Sequence, residues 1–335
     1  MSDPLIALDG MGGDFAPQST VAGAIAAARA GIAVAIVGDE AVLAKEIASS
    51  GGAPPGLSIV HAPETISMEA HAVAESRRRR GSSVWIGTEL VKRGEAGAFV
   101  SMGHTGAAMA TAMLSFGRMR GVERPALAAV LPTPGGPTML LDVGANAEAR
   151  PSHLVQFARM GSAYMRTVNG IAEPRVGLLS IGEEPTKGSA LVVEANAKLR
   201  ADPRVAFAGN VEGRDVVAGT VDVVVTDGFT GNVVLKLLEG TITMVFEQLR
   251  AAARSSPTAR VGGALLLPAL SSMRSRFDYR RYGSVPMLGV DGAVFVGHGR
   301  SDGEAVANAI RTAADAVRLG MLRAIDGAID EGAAG

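Results

Sequence analysis

Five short segments of this sequence combine glycine with small polar or charged residues in a way that suits anion binding. Glycine lets backbone N–H groups approach a ligand closely, and a helix N-terminus adds partial positive charge, so phosphate is the natural guest. The segments are residues 9–14 (DGMGGD), 101–106 (SMGHTG), 181–188 (IGEEPTKG), 227–232 (DGFTGN) and 297–302 (GHGRSD). A tight turn before a capped helix accounts for any one of them. Five in one chain favour a shared binding edge.

Each segment stands between an apolar run and a stretch with helical spacing. The apolar runs are residues 5–8, 33–37, 57–60, 98–101, 176–181, 221–226 and 293–296. They are continuous rather than alternating, which predicts strands covered on both faces in a mostly parallel sheet. Helices are predicted at residues 19–30, 82–93, 105–118, 151–167, 188–200, 230–250 and 302–318. This alternation predicts an α/β/α sandwich whose five junctions share the edge where such sheets bind ligands.

One part of the sequence departs from the parallel pattern. Residues 126–131 and 138–142 are apolar and flank a proline- and glycine-rich turn at 132–137, so they predict a β-hairpin and a mixed sheet. We find no internal repeat and no low-complexity linker. The preferred interpretation is one domain over residues 1–335, and a two-lobed arrangement is the alternative.

Composition excludes several classes of protein. The chain has 335 residues and no cysteine, so disulfides, thiolate nucleophiles and cysteine-based metal sites are ruled out. Thirty-two basic and 33 acidic residues nearly balance, and no basic domain suggests nucleic-acid binding. The N-terminus lacks a signal-peptide pattern, and we expect no membrane-spanning stretch. These features predict a cytoplasmic protein.

The common nucleotide, metal and hydrolase motifs do not account for the glycine-rich segments. There is no P-loop and no H-E-x-x-H, and Phe15 stands where G-x-G-x-x-G needs its third glycine. Residues 299–303 match G-x-S-x-G, but no histidine follows His298, as the hydrolase order requires. We therefore interpret Ser301 as a helix cap or a phosphate contact, and we expect no metal.

Longer motifs in this chain resemble one family closely. They are residues 8–14 with Pro17, 101–110, 141–146, 161–164, 176–188, 209–215, 222–236 and 298–302, and in this order they are similar to the PlsX phosphate acyltransferases. The resemblance spans about residues 5 to 320. It departs from the family at His104, where asparagine is usual, at Gly10, where alanine is usual, and at Arg300 and Gly303.

The resemblance carries expectations about fold and activity. It implies a Rossmann-like α/β/α fold related to phosphotransacetylase and isopropylmalate dehydrogenase. It implies a homodimer that uses no cofactor and converts long-chain acyl-[acyl carrier protein] and inorganic phosphate to acyl phosphate for phospholipid synthesis. An isopropylmalate-type dehydrogenase and a non-catalytic phosphate or nucleotide sensor are the alternatives.

Phosphate attack on a thioester needs positioning and charge stabilisation more than a covalent nucleophile. We predict Lys187, Asn232 and His298 as catalytic residues. Lys187 could instead pair with Glu183 or Glu184, Asn232 could only cap a helix, and His298 could be structural. Predicted phosphate or substrate contacts are Asp9, Gly12, Gly13, Asp14, Gly103, Thr105, Gly106, Asp142, Asn146, Glu183, Thr186, Asn210, Glu212, Asp227, Thr230, Gly231 and Ser301. The aspartates at strand ends are expected to support these contacts.

Two surface features suggest partners. The run Arg77 to Arg80 could steer the acidic carrier protein, although such runs are usually solvated faces. Seven arginines and one aspartate between residues 250 and 281 flank an apolar stretch with Leu265, Leu266, Leu267 and Leu270. We predict a helical hairpin at about 240–285 with this stretch at its tip, for peripheral membrane contact or for a dimer interface.

Overall fold

An eleven-stranded sheet organises the described part of the chain. The computed structural model describes residues 3–67, 72–276 and 283–330, and the backbone alone for 267–276. The strands are β1 Ile6–Asp9, β2 Val34–Gly38, β3 Leu57–His61, β4 Ala98–Ser101, β5 Ala126–Thr133, β6 Gly136–Leu141, β7 Arg175–Leu179, β8 Ala206–Val211, β9 Val223–Val225, β10 Ser284–Leu288 and β11 Val294–Gly297. All seven predicted apolar runs form strands.

Helices cover both faces of this sheet. They are α1 Gln18–Arg29, α2 Glu40–Ser49, α3 Ala72–Arg78, α4 Ser83–Lys92, α5 Thr105–Ser115, α6 Pro151–Thr167, α7 Ala190–Arg200, α8 Gly213–Ala218, α9 Gly228–Arg254, α10 Pro257–Arg276, α11 Gly303–Arg318 and α12 Met321–Asp330. Sequence analysis did not identify β8 and β10, where Gly209 and Pro286 interrupt the apolar pattern, or the helices α2, α8 and α12.

Strand alternation explains how the core forms. In β1, Ile6 and Leu8 belong to one buried apolar layer, while Ala7 faces the other. Successive side chains of a strand point to opposite faces, so a continuous apolar run supplies both layers. The predicted α/β/α sandwich with a mixed sheet is confirmed.

The sheet contains two parallel blocks that run in opposite directions. Its order is β3-β2-β1-β4-β11-β10-β5-β6-β9-β7-β8. Pairing is antiparallel at β11–β10, β10–β5 and β5–β6 and parallel elsewhere. The first block, from β3 to β11, therefore opposes the second, from β6 to β8. The expectation that all five glycine-rich junctions share one edge of a parallel sheet was wrong.

Twist nevertheless brings ends of both blocks together. In twisted sheets neighbouring strands rotate by about 20–25° on average, and at that rate the five steps from β4 to β9 would turn the sheet by roughly 100–125°. Carboxyl ends that would point 180° apart in a flat sheet then diverge by only about 55–80°. The β10–β5 ladder holds just the pairs Met287 with Leu127 and Leu288 with Ala126, and the sheet parts beyond them. A cleft occupies this seam.

Helices α9 and α10 form an antiparallel pair that extends from the sandwich. They are joined at Ser255 and Ser256, and Gly263 of α10 packs against Ala253 of α9. Leu265 and Leu266 are exposed along α10 rather than at the turn, where they had been predicted. The backbone places Leu267 and Leu270 on α10, but their side chains lie outside the described residues.

The expectation that no stretch could span a membrane needs correction. By length and composition alone, helix α9 is long and apolar enough to do so. Its first turn, however, is held in the sandwich by contacts of Gly228 and Gly231 with the loop after β6. Length and composition alone therefore do not make it a membrane span.

Candidate active site

A cleft of about 690 Å³ lies at the seam between the two blocks. Residues that follow β1, β4 and β11 line one part of it, and residues that follow β6 and β9 line the opposite part. The cleft has a polar end and a longer apolar part. The polar end is lined by Asp14, Gly103, Thr105, Gly106, Gly144, Asn232, His298, Gly299 and Arg300.

Buried Asp9 joins two loops of the first block. Its carboxylate accepts hydrogen bonds from Ser101 Oγ at 2.7 Å and from the Met11 N–H at 3.1 Å. Gly12 approaches so closely that a Cβ there would lie 2.3 Å from Asp9 Oδ2 and 2.8 Å from the Gly103 nitrogen. Burial raises the pKa of Asp9 above its ordinary value, and these hydrogen bonds oppose the rise. Asp9 is therefore not exposed to the cleft, but its hydrogen bonds hold together the ends of β1 and β4 and the loops that follow them.

Helix α5 begins at the polar end. Thr105 and Gly106 are its first two residues, and N–H groups at these positions have no acceptor within the helix. His104 caps the helix because its Nδ1 accepts a hydrogen bond from the Ala107 N–H at 3.3 Å. Histidine therefore performs here the capping role that suits asparagine. The N-terminus of α5 therefore presents to the cleft two N–H groups that have no acceptor within the helix, together with a partial positive charge.

The loop after β6 is organised by the buried Asp142. Its two carboxylate oxygens accept five hydrogen bonds, from the backbone N–H groups of Leu127, Gly144, Ala145 and Asn146 and from Asn146 Nδ2, at 2.8–3.1 Å. Burial raises the pKa of Asp142, and the donated hydrogen bonds lower it in part. Asn146 Nδ2 also donates to the Pro125 carbonyl at 2.7 Å, which ties the loop to the start of β5.

Helix α9 starts against that loop. Asp227 caps it by accepting from the Thr230 N–H at 2.8 Å and from Thr230 Oγ1 at 2.7 Å. The Gly228 N–H donates to the Asn146 carbonyl at 2.8 Å, and a Cβ on Gly231 would lie 1.8 Å from the Asp142 carbonyl oxygen. This close approach brings Asn232 beside Gly144 at the polar end.

The rest of the cleft is mainly apolar. Strand β5 forms one wall and helix α9 another, with contributions from α5, α8 and β10. The apolar lining residues are Met109, Leu127, Ala129, Val130, Leu131, Pro132, Val143, Val216, Val217, Leu235, Leu238, Ile242, Val285 and Val296. A polar, anion-suited end that continues into an apolar groove can accommodate a molecule with one charged end and one long apolar part.

The structure brings together only some of the predicted site residues. Asp14, Gly103, Thr105, Gly106, Asn232 and His298 line the cleft. Asp9, Gly12, Asp142, Asn146, Gly231 and Ser301 are buried and do not line it, while Gly13 stands near Gly299 and Asp227 and Thr230 form the α9 cap. The side-chain Oγ of Ser301 is buried without a hydrogen-bond partner.

The remaining predicted residues form a separate group beyond β7 and β8. Glu183, Thr186 and Lys187 are exposed in the loop between β7 and α7 and do not line the cleft. Asn210 Nδ2 donates to the Glu184 carbonyl at 2.8 Å, and Arg214 pairs with Glu183 at 3.1 Å and with Glu212 at 3.4 Å. The catalytic role of Lys187 stays a prediction.

Sequence reasoning missed two cations of the cleft, Lys236 and Arg300. Lys236 is four residues after Asn232, so helical spacing could have placed both on one face of α9. Arg300 was noticed only as a departure from the family pattern. No cluster of histidine and acidic side chains suited to a metal ion occurs in residues 3–67, 72–276 and 283–330.

The sequence of this chain is similar to those of known proteins over most of its length. The model of a family described as "Fatty acid synthesis protein" matches residues 5–323. A phosphate acyltransferase from Thermus thermophilus is 54% identical over 95% of this chain and 96% of its own length. Another, from Thermobifida fusca, is 51% identical over 91% of this chain and 86% of its own.

Solved structures share the fold at low sequence identity. A phosphotransacetylase from Streptococcus pyogenes superposes with a TM-score of 0.63 at 17% identity, covering 94% of each chain. A putative 4-hydroxythreonine-4-phosphate dehydrogenase from Salmonella typhimurium gives a TM-score of 0.56 at 15% identity, covering 94% of this chain and 99% of that one. Because the family match and its close relatives span nearly the whole chain, this protein belongs to the PlsX phosphate acyltransferase family of enzymes.

Proposed function

We propose that this enzyme transfers a long-chain acyl group from acyl carrier protein to inorganic phosphate, producing acyl phosphate and free carrier protein for phospholipid synthesis. The observation that carries this conclusion is the union of two features in one cleft. The N-terminus of α5 suits an anion, and it opens directly into an apolar groove. A phosphate and an acyl chain could therefore meet at the junction.

Phosphate is assigned to the polar end. The first N–H groups of α5, at Thr105 and Gly106, together with the guanidinium of Arg300, would bind its oxygens. His298 and Asn232 stand at the same end and would hold the thioester carbonyl or the phosphate. The Asp14 carboxylate lines this end too, and we assign it to orienting the cations rather than to contacting phosphate.

The reaction needs no covalent enzyme intermediate. A phosphate oxygen attacks the thioester carbonyl carbon, a new C–O bond forms, and the C–S bond then breaks to release the carrier thiolate, which takes up a proton. Holding both reactants in one cleft lowers the entropic cost of their encounter. A well-placed donor to the developing oxyanion contributes about 3 kcal/mol. Asn232 is our assignment for that donor.

The test is release of carrier-protein thiol from palmitoyl-acyl carrier protein with and without phosphate. Arg300→Ala should raise the KM for phosphate about tenfold or more, since a hydrogen bond to a charged group contributes about 1.5–3 kcal/mol. The matched control is Arg311→Ala, an exposed arginine of α11 outside the cleft. It should behave as the wild type does.

The same assay separates the alternatives. If Lys187→Ala raises the KM for phosphate and Arg300→Ala does not, phosphate binds at the β7–α7 loop instead. Phosphate-independent release would indicate a thioesterase. No release at all would return the dehydrogenase interpretation to consideration.

We propose that the carrier protein is drawn to exposed arginines beside the cleft. Arg300 contributes at the polar end, but the run Arg77 to Arg80 contributes less than its sequence suggests. Arg78 and Arg79 pair with Glu75 at 2.8 and 2.5 Å, and the Arg80 guanidinium lies 5.0 Å from the centre of the Trp85 ring. Steering by this run is therefore partly offset by Glu75.

We also propose a cytoplasmic homodimer that touches the inner face of the cell membrane through α9 and α10. Leu237 and Met244 of α9 are 66% and 54% exposed, and Leu265 of α10 is 79% exposed. Exposed apolar surface flanked by arginines suits a dimer interface and an anionic lipid surface. Replacing Leu265, Leu266 and Leu267 with serine should reduce liposome co-sedimentation; unchanged co-sedimentation would reject the membrane contact. Size measured by light scattering tests the dimer.

A further inference from the structure

The two walls of the apolar groove begin at the same loop. Strand β5 is fixed there by the Leu127 N–H, which donates to Asp142 Oδ1 at 3.1 Å. Helix α9 is fixed there by the Gly228 N–H, which donates to the Asn146 carbonyl at 2.8 Å. Both walls therefore start beside the polar end and lead away from it.

The lengths of these walls match an acyl chain. The cleft-lining part of β5, from Leu127 to Thr133, spans roughly 20 Å at about 3.3 Å per residue. The lining part of α9, from Asn232 to Ile242, spans roughly 15 Å at about 1.5 Å per residue. The hydrocarbon core of a bilayer is about 30 Å thick and holds two layers of acyl chains, so one chain spans roughly 15 Å.

Helix α8 stands at the far end of the β5 wall. Gly219, just after α8, meets Thr133 so closely that a Cβ there would lie 1.9 Å from Thr133 Oγ1. Val216 and Val217 both line the cleft, and of the two Val216 is buried while Val217 is 46% exposed. A chain that enters from the polar end and follows β5 therefore reaches Val217 after passing Ala129 and Leu131.

We infer that the groove between β5 and α9 binds the acyl chain along its length, with the thioester at the polar end, and that Val217 limits the chain length accepted. The inference rests on the proposed function and deepens it. Ile242, at the end of the α9 wall, limits the groove from the other side.

The experiment compares palmitoyl and octanoyl thioesters of the carrier protein. Val217→Trp should lower kcat/KM for palmitoyl about tenfold or more and leave octanoyl within about twofold, since only the longer chain loses apolar contacts at the far end. The exposure of Val217 makes the substitution tolerable to the fold. Ile242→Trp is the second variant and should shift selectivity in the same direction.

The matched control is Val193→Trp, on α7, where the side chain is 38% exposed and lies outside the cleft lining. It should leave the palmitoyl-to-octanoyl ratio unchanged. If Val217→Trp and Ile242→Trp also keep the wild-type ratio of kcat/KM for palmitoyl to kcat/KM for octanoyl, the groove inference is overturned.

Direct binding keeps the groove inference separate from the proposed function. Equilibrium dialysis with labelled palmitate should show wild-type binding that Val217→Trp weakens about tenfold or more, whether or not the enzyme turns over. Palmitate binding with no thiol release would reject the proposed function and retain the groove. Equal palmitate binding by wild type and Val217→Trp would overturn the groove even in an active enzyme.

Discussion

Gly231 is the residue whose substitution should damage the site most cleanly. It lies in the first turn of α9, and a Cβ there would stand 1.8 Å from the Asp142 carbonyl oxygen and 2.9 Å from the carbonyl carbon. Both are backbone atoms that cannot rotate away. Because real Cβ contacts are essentially never shorter than 3.0 Å, Gly231→Ala must separate α9 from this loop by at least about 1.2 Å.

That displacement sets the size of the effect. Asn232 is the next residue, so it moves with the helix and away from the polar end. A misplacement of about 1 Å can cost about 100-fold in rate. We therefore expect kcat/KM to fall about 100-fold, equivalent to about 2.7 kcal/mol of transition-state stabilisation. The clash should also lower the free energy of unfolding by about 1–3 kcal/mol.

Gly240→Ala in the same helix is the matched control. A Cβ at Gly240 meets no atom within 4 Å, so this variant gains helix propensity and suffers no clash. It should keep wild-type kcat/KM and gain up to about 1 kcal/mol in free energy of unfolding. The assays are phosphate-dependent thiol release and urea unfolding. If Gly231→Ala keeps kcat/KM within about threefold of Gly240→Ala, the close approach at Asp142 does not position the site.

Three further predictions concern the groups that hold the site in place. Asp142→Ala leaves five N–H groups without their acceptor and should lower the free energy of unfolding in urea by about 3 kcal/mol or more. The control Asp315→Ala removes an exposed pair with Arg318 and should change the free energy of unfolding by less than about 0.5 kcal/mol. Similar losses in the two variants would contradict the prediction. Burial raises the folded-state pKa of Asp9 above the ordinary 3.8, so the native state binds more protons than the unfolded state between pH 3.8 and the raised pKa, and the protein loses stability as pH rises through this window. Asp9→Asn should remove this pH-dependent loss of stability. An equal dependence of Tm on pH in wild type and variant would show the expectation to be wrong. Asp227→Ala removes the cap of α9 and should lower the free energy of unfolding in urea by about 0.5–2 kcal/mol, together with kcat. Unchanged stability would mean that the hydrogen bond from the Gly228 N–H to the Asn146 carbonyl alone anchors the helix.

The local sequence pattern predicted the strands well where both faces of a strand are buried. The continuous apolar runs at β1, β2 and β4 supply side chains to both core layers, and such runs have few other outcomes than a buried strand. The predictions failed at β10, where Pro286 interrupts the run, and at β8, where Gly209 does. At these strands pairing with neighbours overrides weak local preference.

The predictions of site residues also succeeded in some places and not in others. Thr105, Gly106 and Asn232 were found because helix starts after glycine have a local signature, and all three line the cleft. Lys187 has the same kind of local signature, yet its loop lies outside the lining. Local spacing identifies an anion-suited loop but does not tell which loops meet, since that depends on strand order and direction.

By itself the sequence determined the class of this protein and the character of its pieces: two-sided apolar strands, capped helices and glycine-rich loops between them. Only the tertiary structure decided that the two parallel blocks oppose each other, that twist brings their ends to one seam, and that β5 and α9 wall an apolar groove there. The physical reason is that hydrogen bonding and capping act over a few residues, whereas the seam arises from long-range pairing and from twist accumulated across many strands.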